Sequence, residues 1–299
     1  MVDVFAPAKV NLTLHVTGQR ADGYHLLDSL VAFAPVCDEI TLNPANTLSL
    51  TVEGPEAAGV PADMDNLALK VAALYAGDTG VALTLLKRLP AASGIGGGSA
   101  DAAAAFRGMM ALRDDLDTLA AQSDAALRTR FAPLLGLGAD ILMCLASAPA
   151  RVQGIGDKLE VLPDFTPLPA LLVNPRVPVS TPQVFKALRA KDNPPMPAQM
   201  PVTGDVTDVA AWLATQRNDL QAPAIEVAPE IGTVLDVLAA SDGCLLARMS
   251  GSGATCFALY PDAETGIAAG RKLRRDHPDW WVAGGLLGDQ SELAAPRIS

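Results

Sequence analysis

The segment Leu89-Pro90-Ala91-Ala92-Ser93-Gly94-Ile95-Gly96-Gly97-Gly98-Ser99-Ala100-Asp101 constrains the fold more than any other stretch of the chain. An alternating run before it, Val81, Leu83 and Leu85, reads as a strand, and the Ala-rich stretch from Ala100 to Leu112 reads as a helix. Four glycines let the backbone turn sharply and come close to a ligand. Ser99 or Asp101 is placed to cap the helix. The free N–H groups of its first turn then face the loop, where the helix dipole favours an anion. The segment is therefore expected to bind phosphate through Pro90, Ser93, Gly94, Ile95, Gly96, Gly97, Gly98, Ser99, Ala100 and Asp101. A flexible linker shares this composition but has no reason to sit between a strand and a strong helix. A dinucleotide fingerprint needs glycine where Ser99 stands, although Asp114 and Asp115 lie near the required distance. A Walker loop needs Gly-Lys followed by Ser or Thr, which is absent.

Other residues carry chemistry only in combination. Asp140, after Gly136-Leu137-Gly138-Ala139, suits a general base that takes a proton from an alcohol; a turn or cap aspartate reads the same way. The alternation Val10, Leu12, Leu14, Val16 reads as a half-buried strand. It puts Lys9 and Asn11 on the opposite face, where a lysine can hold a carboxylate ionised or touch a phosphoryl group; a solvated strand face is the alternative. Ser250-Gly251-Ser252-Gly253-Ala254, between two strands, fits a tight hairpin or a second backbone nest. Tyr24, His25 and Phe185 can stack on a base or pack a core.

The remaining chain divides into two parts. The expected elements are a second strand from His25 to Phe33, short strands at Glu39–Leu42 and Leu48–Val52, and a helix from Asp63 to Asp78 capped by an Asp. A helical stretch over Leu116–Leu135, a loop at Gly136–Asp140, a short apolar segment at Ile141–Leu145 and a hairpin over Arg151–Leu162 follow. Prolines 163, 167 and 169 place a boundary there, giving parts 1–163 and 164–299. In the second part the order strand, helices, strand, strand, helix, strand resembles a split βαβ sandwich, with Thr181-Pro182 capping its first helix. The expected class is α+β. With 299 residues and a net charge of −11, the chain has no dense basic face for nucleic acid; Arg271, Lys272, Arg274 and Arg275 read as the solvated side of a helix. No apolar run is long enough to cross a membrane and no signal peptide is evident. Cys37, Cys144, Cys244 and Cys256 form no C-x-x-C pair, so free thiols in a cytoplasmic protein are expected; monomer and dimer are both compatible with the sequence.

These motifs together resemble the GHMP kinase superfamily. The opening Pro7-Ala8-Lys9-Val10-Asn11-Leu12, continued by Gly18-Gln19-Arg20-Ala21-Asp22-Gly23-Tyr24-His25, is similar to the branch that phosphorylates a cytidine-diphosphate-linked methylerythritol. Asp65-Asn66-Leu67, Gly94 to Ala104, Leu137 to Asp140, Thr181 to Phe185, Asn218-Asp219-Leu220 and Ser250 to Ala254 follow in the expected order. The resemblance implies a two-domain fold with the site in the cleft between, ATP and Mg²⁺ as cofactors, and transfer to an alcohol hydroxyl. It implies Asp140 as base, Lys9 as catalytic lysine, and Asn11, Tyr24, His25, Phe185, Ser250, Gly251, Ser252 and Gly253 around the substrate. It places Asn66 near adenine and allows Ser99 near the metal. Sister kinases of homoserine or mevalonate, and a silent nucleotide binder, are the alternatives. The chain departs from the pattern at Ala91-Ala92-Ser93, at Ala100 and Asp101, and at Ile141-Leu142-Met143, where a proline is usual.

Overall fold

The computed structural model describes residues 1–77, 80–113 and 132–299. The first sheet is mixed and contains β1 (Val2–Asn11), β2 (His15–Gln19), β3 (His25–Ala45), β4 (Ser49–Glu53), β5 (Gly80–Leu86), β6 (Ala150–Gly154), β7 (Lys158–Val161) and the short C-terminal β12 (Arg297–Ile298). Its spine is β3, 21 residues long, which absorbs both the strand expected at 25–33 and the one at 39–42. One half of β3 pairs with β2 and β6, the other with β5, and β1 runs antiparallel along its middle. Helices α1 (Leu67–Ala76), α2 (Gly97–Leu112) and α3 (Asp140–Ala146) cover one face of this sheet.

The second sheet contains β8 (Leu168–Asn174), β9 (Leu246–Met249), β10 (Cys256–Leu259) and β11 (Trp281–Leu287) in the order β11-β8-β10-β9, all antiparallel. That is the fourth, first, third and second strand of the unit, the pairing a split βαβ sandwich requires. Around it lie α4 (Thr181–Ala187), α5 (Val206–Ala214), α6 (Gln221–Val227), α7 (Glu230–Ala239) and α8 (Ala263–Asp276); α9 (Ser291–Ala294) returns to the first sheet beside β1. Arg271, Lys272, Arg274 and Arg275 form the exposed side of α8, as expected. A shared core, with Val10, Leu12 and Leu30 facing Leu172, Phe257 and Leu287, packs the two sheets together.

A register shift in the β1/β3 ladder positions the chemistry. Pairing slips between Pro7 and Ala8, and the two faces of β1 exchange there. Val2, Val4 and Ala6 pack under the helices, whereas Ala8, Val10 and Leu12 pack between the sheets. Lys9 and Asn11 are thereby turned to the helix side, against α2 and α3. From Ala6 to Asn11 the strand is fully buried rather than half-buried, because both of its faces are covered there.

Several expectations are corrected. The regular strand stops at Asn11 and resumes at His15, and it begins at Val2 instead of Val10. Asn66, not Asp63, caps α1, which starts at Leu67. The N-cap of α2 is Gly96 in the left-handed region at φ 66°, so neither Ser99 nor Asp101 caps it. Asp140 and the apolar 141–145 segment form α3 instead of a loop and a run. Ser180, not Thr181, is the N-cap of α4. Helix α6 was not foreseen. The helix expected over 116–135 falls largely outside the described residues, of which 132–137 are helical, and Asp78 also lies outside them.

Candidate active site

A cavity of about 370 Å³ opens on the helix side of the first sheet, lined by β1, the glycine loop, α3, α4 and the 250–254 loop. The Lys9 side chain crosses the glycine loop to reach it. Gly96 has no side chain because a Cβ there would lie 2.6 Å from Lys9 Cγ. The Lys9 N–H donates to the Ile95 carbonyl at 3.0 Å, which fixes the loop to the strand. Lys9 Nζ then donates to Asn11 Oδ1 at 2.7 Å and pairs with Asp140 Oδ2 at 3.0 Å. Lys9 is buried while the Asp140 side chain is 41% exposed, so the carboxylate is held from behind and open to the cavity.

Asp140 is the first residue of α3, where the helix dipole favours a negative charge. Ile141, Met143 and Cys144 anchor the helix in the core. Asn11 is fixed in turn: its Nδ2 donates to Ser29 Oγ at 2.8 Å, and its N–H donates to Ser250 Oγ at 3.0 Å. Ser250 Oγ donates onward to the Gly94 carbonyl at 3.0 Å, so one hydroxyl clips β1, the glycine loop and the 250–254 loop together. The two loops meet closely, since a Cβ on Gly251 would lie 2.7 Å from the Gly94 oxygen.

The glycine loop behaves as a phosphate cradle by geometry. The Ala100 N–H closes the first helical bond to the Gly96 carbonyl at 2.8 Å. The N–H groups of Gly97, Gly98 and Ser99 therefore have no helical partner, and these residues line the cavity. Ser93, Gly94 and Gly96 line it as well, whereas Ile95 and Ala100 are buried beneath the loop. Ser93 Oγ is tied to the Pro90 carbonyl at 2.6 Å. An adjoining cavity of about 220 Å³ is lined by Asn66, Pro90, Gly97, Gly98, Lys87 and Asp101, among others. The Asn66 amide is occupied there by the Ala68 N–H and the Pro61 carbonyl, both at 2.9 Å, so it shapes that wall.

On the acceptor side, His25 and Phe185 stack at 4.6 Å with a 22° interplanar angle. Phe185 lines the cavity, and His25 Nε2 is buried without a hydrogen-bond partner. Burial, and secondarily Lys191, hold the His25 pKa below its ordinary value, which keeps the ring neutral. Tyr24 is 63% exposed on the outer turn and is not brought to the cavity. Of the 250–254 loop, Gly251 and Ser252 line the cavity, with Ser252 Oγ 2.8 Å from Thr181 Oγ1. Ser250 is fully buried as the clip described above, and Gly253 lies behind it.

Sequence reasoning missed a second buried cluster beneath the loop. Lys87 pairs with Asp38 and, at 3.0 Å, with Asp101. Asp38 also accepts from the Arg88 and Leu89 N–H groups at 2.6 and 2.8 Å. Lys87 continues the inward set Val81, Leu83 and Leu85, so the signal was a lysine in register with a buried face. Asn218 was also missed as a support: its Nδ2 donates to the carbonyls of Met249 and Gly251 at 2.8 and 2.9 Å.

Known proteins resemble this chain over its whole length. The family profile for the N-terminal domain of GHMP kinases matches residues 66–145, and that for the C-terminal domain matches 185–279. A 4-diphosphocytidyl-2-C-methyl-D-erythritol kinase of Roseobacter denitrificans is 53% identical over 299 residues, covering 100% of this chain and 98% of that protein. A protein of the same name from Paramagnetospirillum magneticum is 50% identical, covering 93% and 95%. Among solved structures, a 4-(cytidine 5'-diphospho)-2C-methyl-D-erythritol kinase is 32% identical with a TM-score of 0.75, covering 96% of this chain and 99% of that one. A homoserine kinase from Cytophaga hutchinsonii, 20% identical with a TM-score of 0.68 over 100% of this chain and 97% of its own, shares the fold.

Proposed function

The chain belongs to the GHMP kinase family, and from that premise we propose that it transfers the γ-phosphoryl group of ATP to the 2-hydroxyl of 4-diphosphocytidyl-2-C-methyl-D-erythritol, a step in non-mevalonate isoprenoid precursor synthesis. The observation that carries the reading is the Lys9–Asp140 pair, which faces the unpaired N–H groups of Gly97 to Ser99 across one cavity. The names of relatives about half identical over their whole length support the substrate. The His25–Phe185 stack with its unpartnered Nε2 supports a pyrimidine base against it.

Phosphoryl transfer asks for positioning and charge neutralisation more than for covalent chemistry. The loop N–H groups hold the phosphates. Asp140 orients the acceptor hydroxyl and takes its proton as the new O–P bond forms and the bond to the β-phosphate oxygen breaks, releasing ADP. Lys9 keeps Asp140 fixed and charged and lies where it can meet the transferring group. Among the described residues no three His, Cys, Asp or Glu side chains gather in metal-binding range, so Mg²⁺ would be held chiefly by phosphate oxygens. Ser99 is the hydroxyl on the loop wall that fits beside it, and the ion would neutralise charge on the triphosphate. Tyr24 belongs to the same proposal as a residue that closes over the base from the outer turn. The division into an ATP-binding part, 1–163, and a second part, 164–299, belongs to it too, as does a cytoplasmic setting, which suits the free thiols.

ADP formation by the purified protein with Mg²⁺ tests the reading, using 4-diphosphocytidyl-2-C-methyl-D-erythritol, homoserine, mevalonate and no acceptor. Turnover with the cytidine substrate alone is expected. Turnover with another alcohol would keep the pair and the loop but overturn the roles given to His25 and Phe185.

A further inference from the structure

Arg107 stands on α2 beyond the phosphate loop and lines no part of the cavity. Its Nη1 donates to the Cys144 carbonyl at 2.9 Å and the Leu145 carbonyl at 3.4 Å, and its Nη2 donates to the Phe5 carbonyl at 3.1 Å. Cys144 and Leu145 lie at the C-terminal end of α3, whose first residue is Asp140. Phe5 lies on β1, the strand that carries Lys9. One guanidinium thus joins the loop helix, the Asp140 helix and the Lys9 strand. Among the described residues no carboxylate pairs with it, and its Nε is buried without a partner. Burial holds its pKa down to about 10. A buried cation whose acceptors are all backbone carbonyls needs the rigid arginine fork, which lysine does not reproduce.

The mechanics of α3 show what this contact does. The helix has seven residues, about 10 Å of length, and no side-chain cap at its N-terminus. Its other end is closed and held by hydrogen bonds. There the Ser147 N–H donates to the Met143 carbonyl at 3.0 Å, Ser147 Oγ donates to the Cys144 carbonyl at 2.8 Å, and Arg107 completes the hold. Ile141, Met143 and Cys144 seat this short helix in the core, so a shift of the end held by Arg107 is carried along it to Asp140.

We propose that Arg107 is a positioning residue that sets Asp140 against Lys9 from the far end of α3. The inference rests on Asp140 and Lys9 being the reacting pair. A double-mutant cycle with Arg107→Met and Asp140→Asn separates the two claims, with kcat and ATP KM measured for all four proteins. Arg107→Met alone is expected to lower kcat by about tenfold to a hundredfold with little change in ATP KM. In the Asp140→Asn background the same change is expected to cost nothing further. Arg107→Lys should recover part of the loss, and it carries the same cycle if the Met variant does not fold. Equal fold-losses in both backgrounds would mean general loosening and overturn the inference. So would an unchanged kcat, or a loss confined to ATP KM. Wild-type turnover by Asp140→Asn would overturn the pair itself, and the inference with it.

Discussion

Two lysine–carboxylate clusters lie on the two sides of one glycine loop, and each approaches its own glycine. A Cβ on Gly96 would lie 2.6 Å from Lys9 Cγ, and a Cβ on Gly97 would lie 3.1 Å from Lys87 Nζ. Both lysines are nearly inaccessible, with side chains 8% and 3% exposed. The partners differ. Asp140 is 41% exposed to the cavity, whereas Asp38 and Asp101 are sealed at 0% and 4%. The same pair of functional groups therefore serves two ends. A carboxylate open on one side can meet an alcohol, whereas the nearly inaccessible ones, at the wall of the adjoining cavity, hold the α2 N-terminus onto β3 and the end of β5. Access for the anion, more than lysine burial, distinguishes chemistry from scaffolding here.

Asp140→Asn is the largest expected break in this comparison. It should lower kcat by roughly a hundredfold to ten-thousandfold, since it removes the general base. The melting temperature should move little, because the substituted amide keeps an oxygen beside Lys9 Nζ on the open side of the pair. Steady-state kinetics and calorimetry on the same preparation read both quantities. A large stability loss with modest kinetic loss would place Asp140 with the scaffold.

Lys87→Met should show the reverse pattern. It leaves Asp38 charged in the interior, with the Arg88 and Leu89 N–H groups and the neighbouring Asp101 carboxyl beside it but no cation. Breaking such a buried cluster costs about 3–5 kcal/mol. Urea unfolding should show that loss, while the molecules that remain folded keep kcat within a few-fold. A kcat collapse without a stability change would move Lys87 into the chemistry and end the contrast.

The two clusters were not equally legible in the sequence. Strand alternation and a glycine-rich approach made Lys9, Asn11 and Asp140 candidates only beside ordinary readings, a solvated strand face and a turn or cap aspartate; the resemblance to GHMP kinases implied their roles. The register shift between Pro7 and Ala8 was not legible, because a change of face depends on which β3 residues pair with β1. The element order of the second half up to β11, α6 excepted, followed from local periodicity, and its likeness to a split βαβ motif supplied the strand arrangement. The single long β3 did not follow from periodicity, because Ala34-Pro35-Val36 reads as a break between strands. The role of Ser250 depends on three segments distant in the chain, and that of Arg107 on carbonyls rather than on a charged partner. Asp101 read as a cap because aspartate near a helix start usually is one. Gly96 takes that position here, which turns Asp101 inward onto Lys87.

Asp101 gives the smallest and sharpest test. Burial comes first among the causes that push its carboxyl up to about 8, with Asp38 adding to it and Lys87 opposing, and its Oδ1 has no hydrogen-bond partner. The unfolded chain releases this proton near the ordinary value of 3.8, while the folded chain keeps it until about 8. Between those values the native state binds more protons than the unfolded state, so this group makes stability fall as pH rises through the window. Asp101→Asn removes the titration and leaves Lys87 paired with Asp38. Its melting temperature should exceed that of the wild type by a few degrees at pH 8, and the gap should close toward pH 4. The opposite order at pH 8 would mean that Asp101 is ionised in the fold and that Lys87 holds two carboxylates. The sealed cluster would then carry a net negative charge directly beneath the phosphate loop, and the loop N–H groups would have to hold ATP against it.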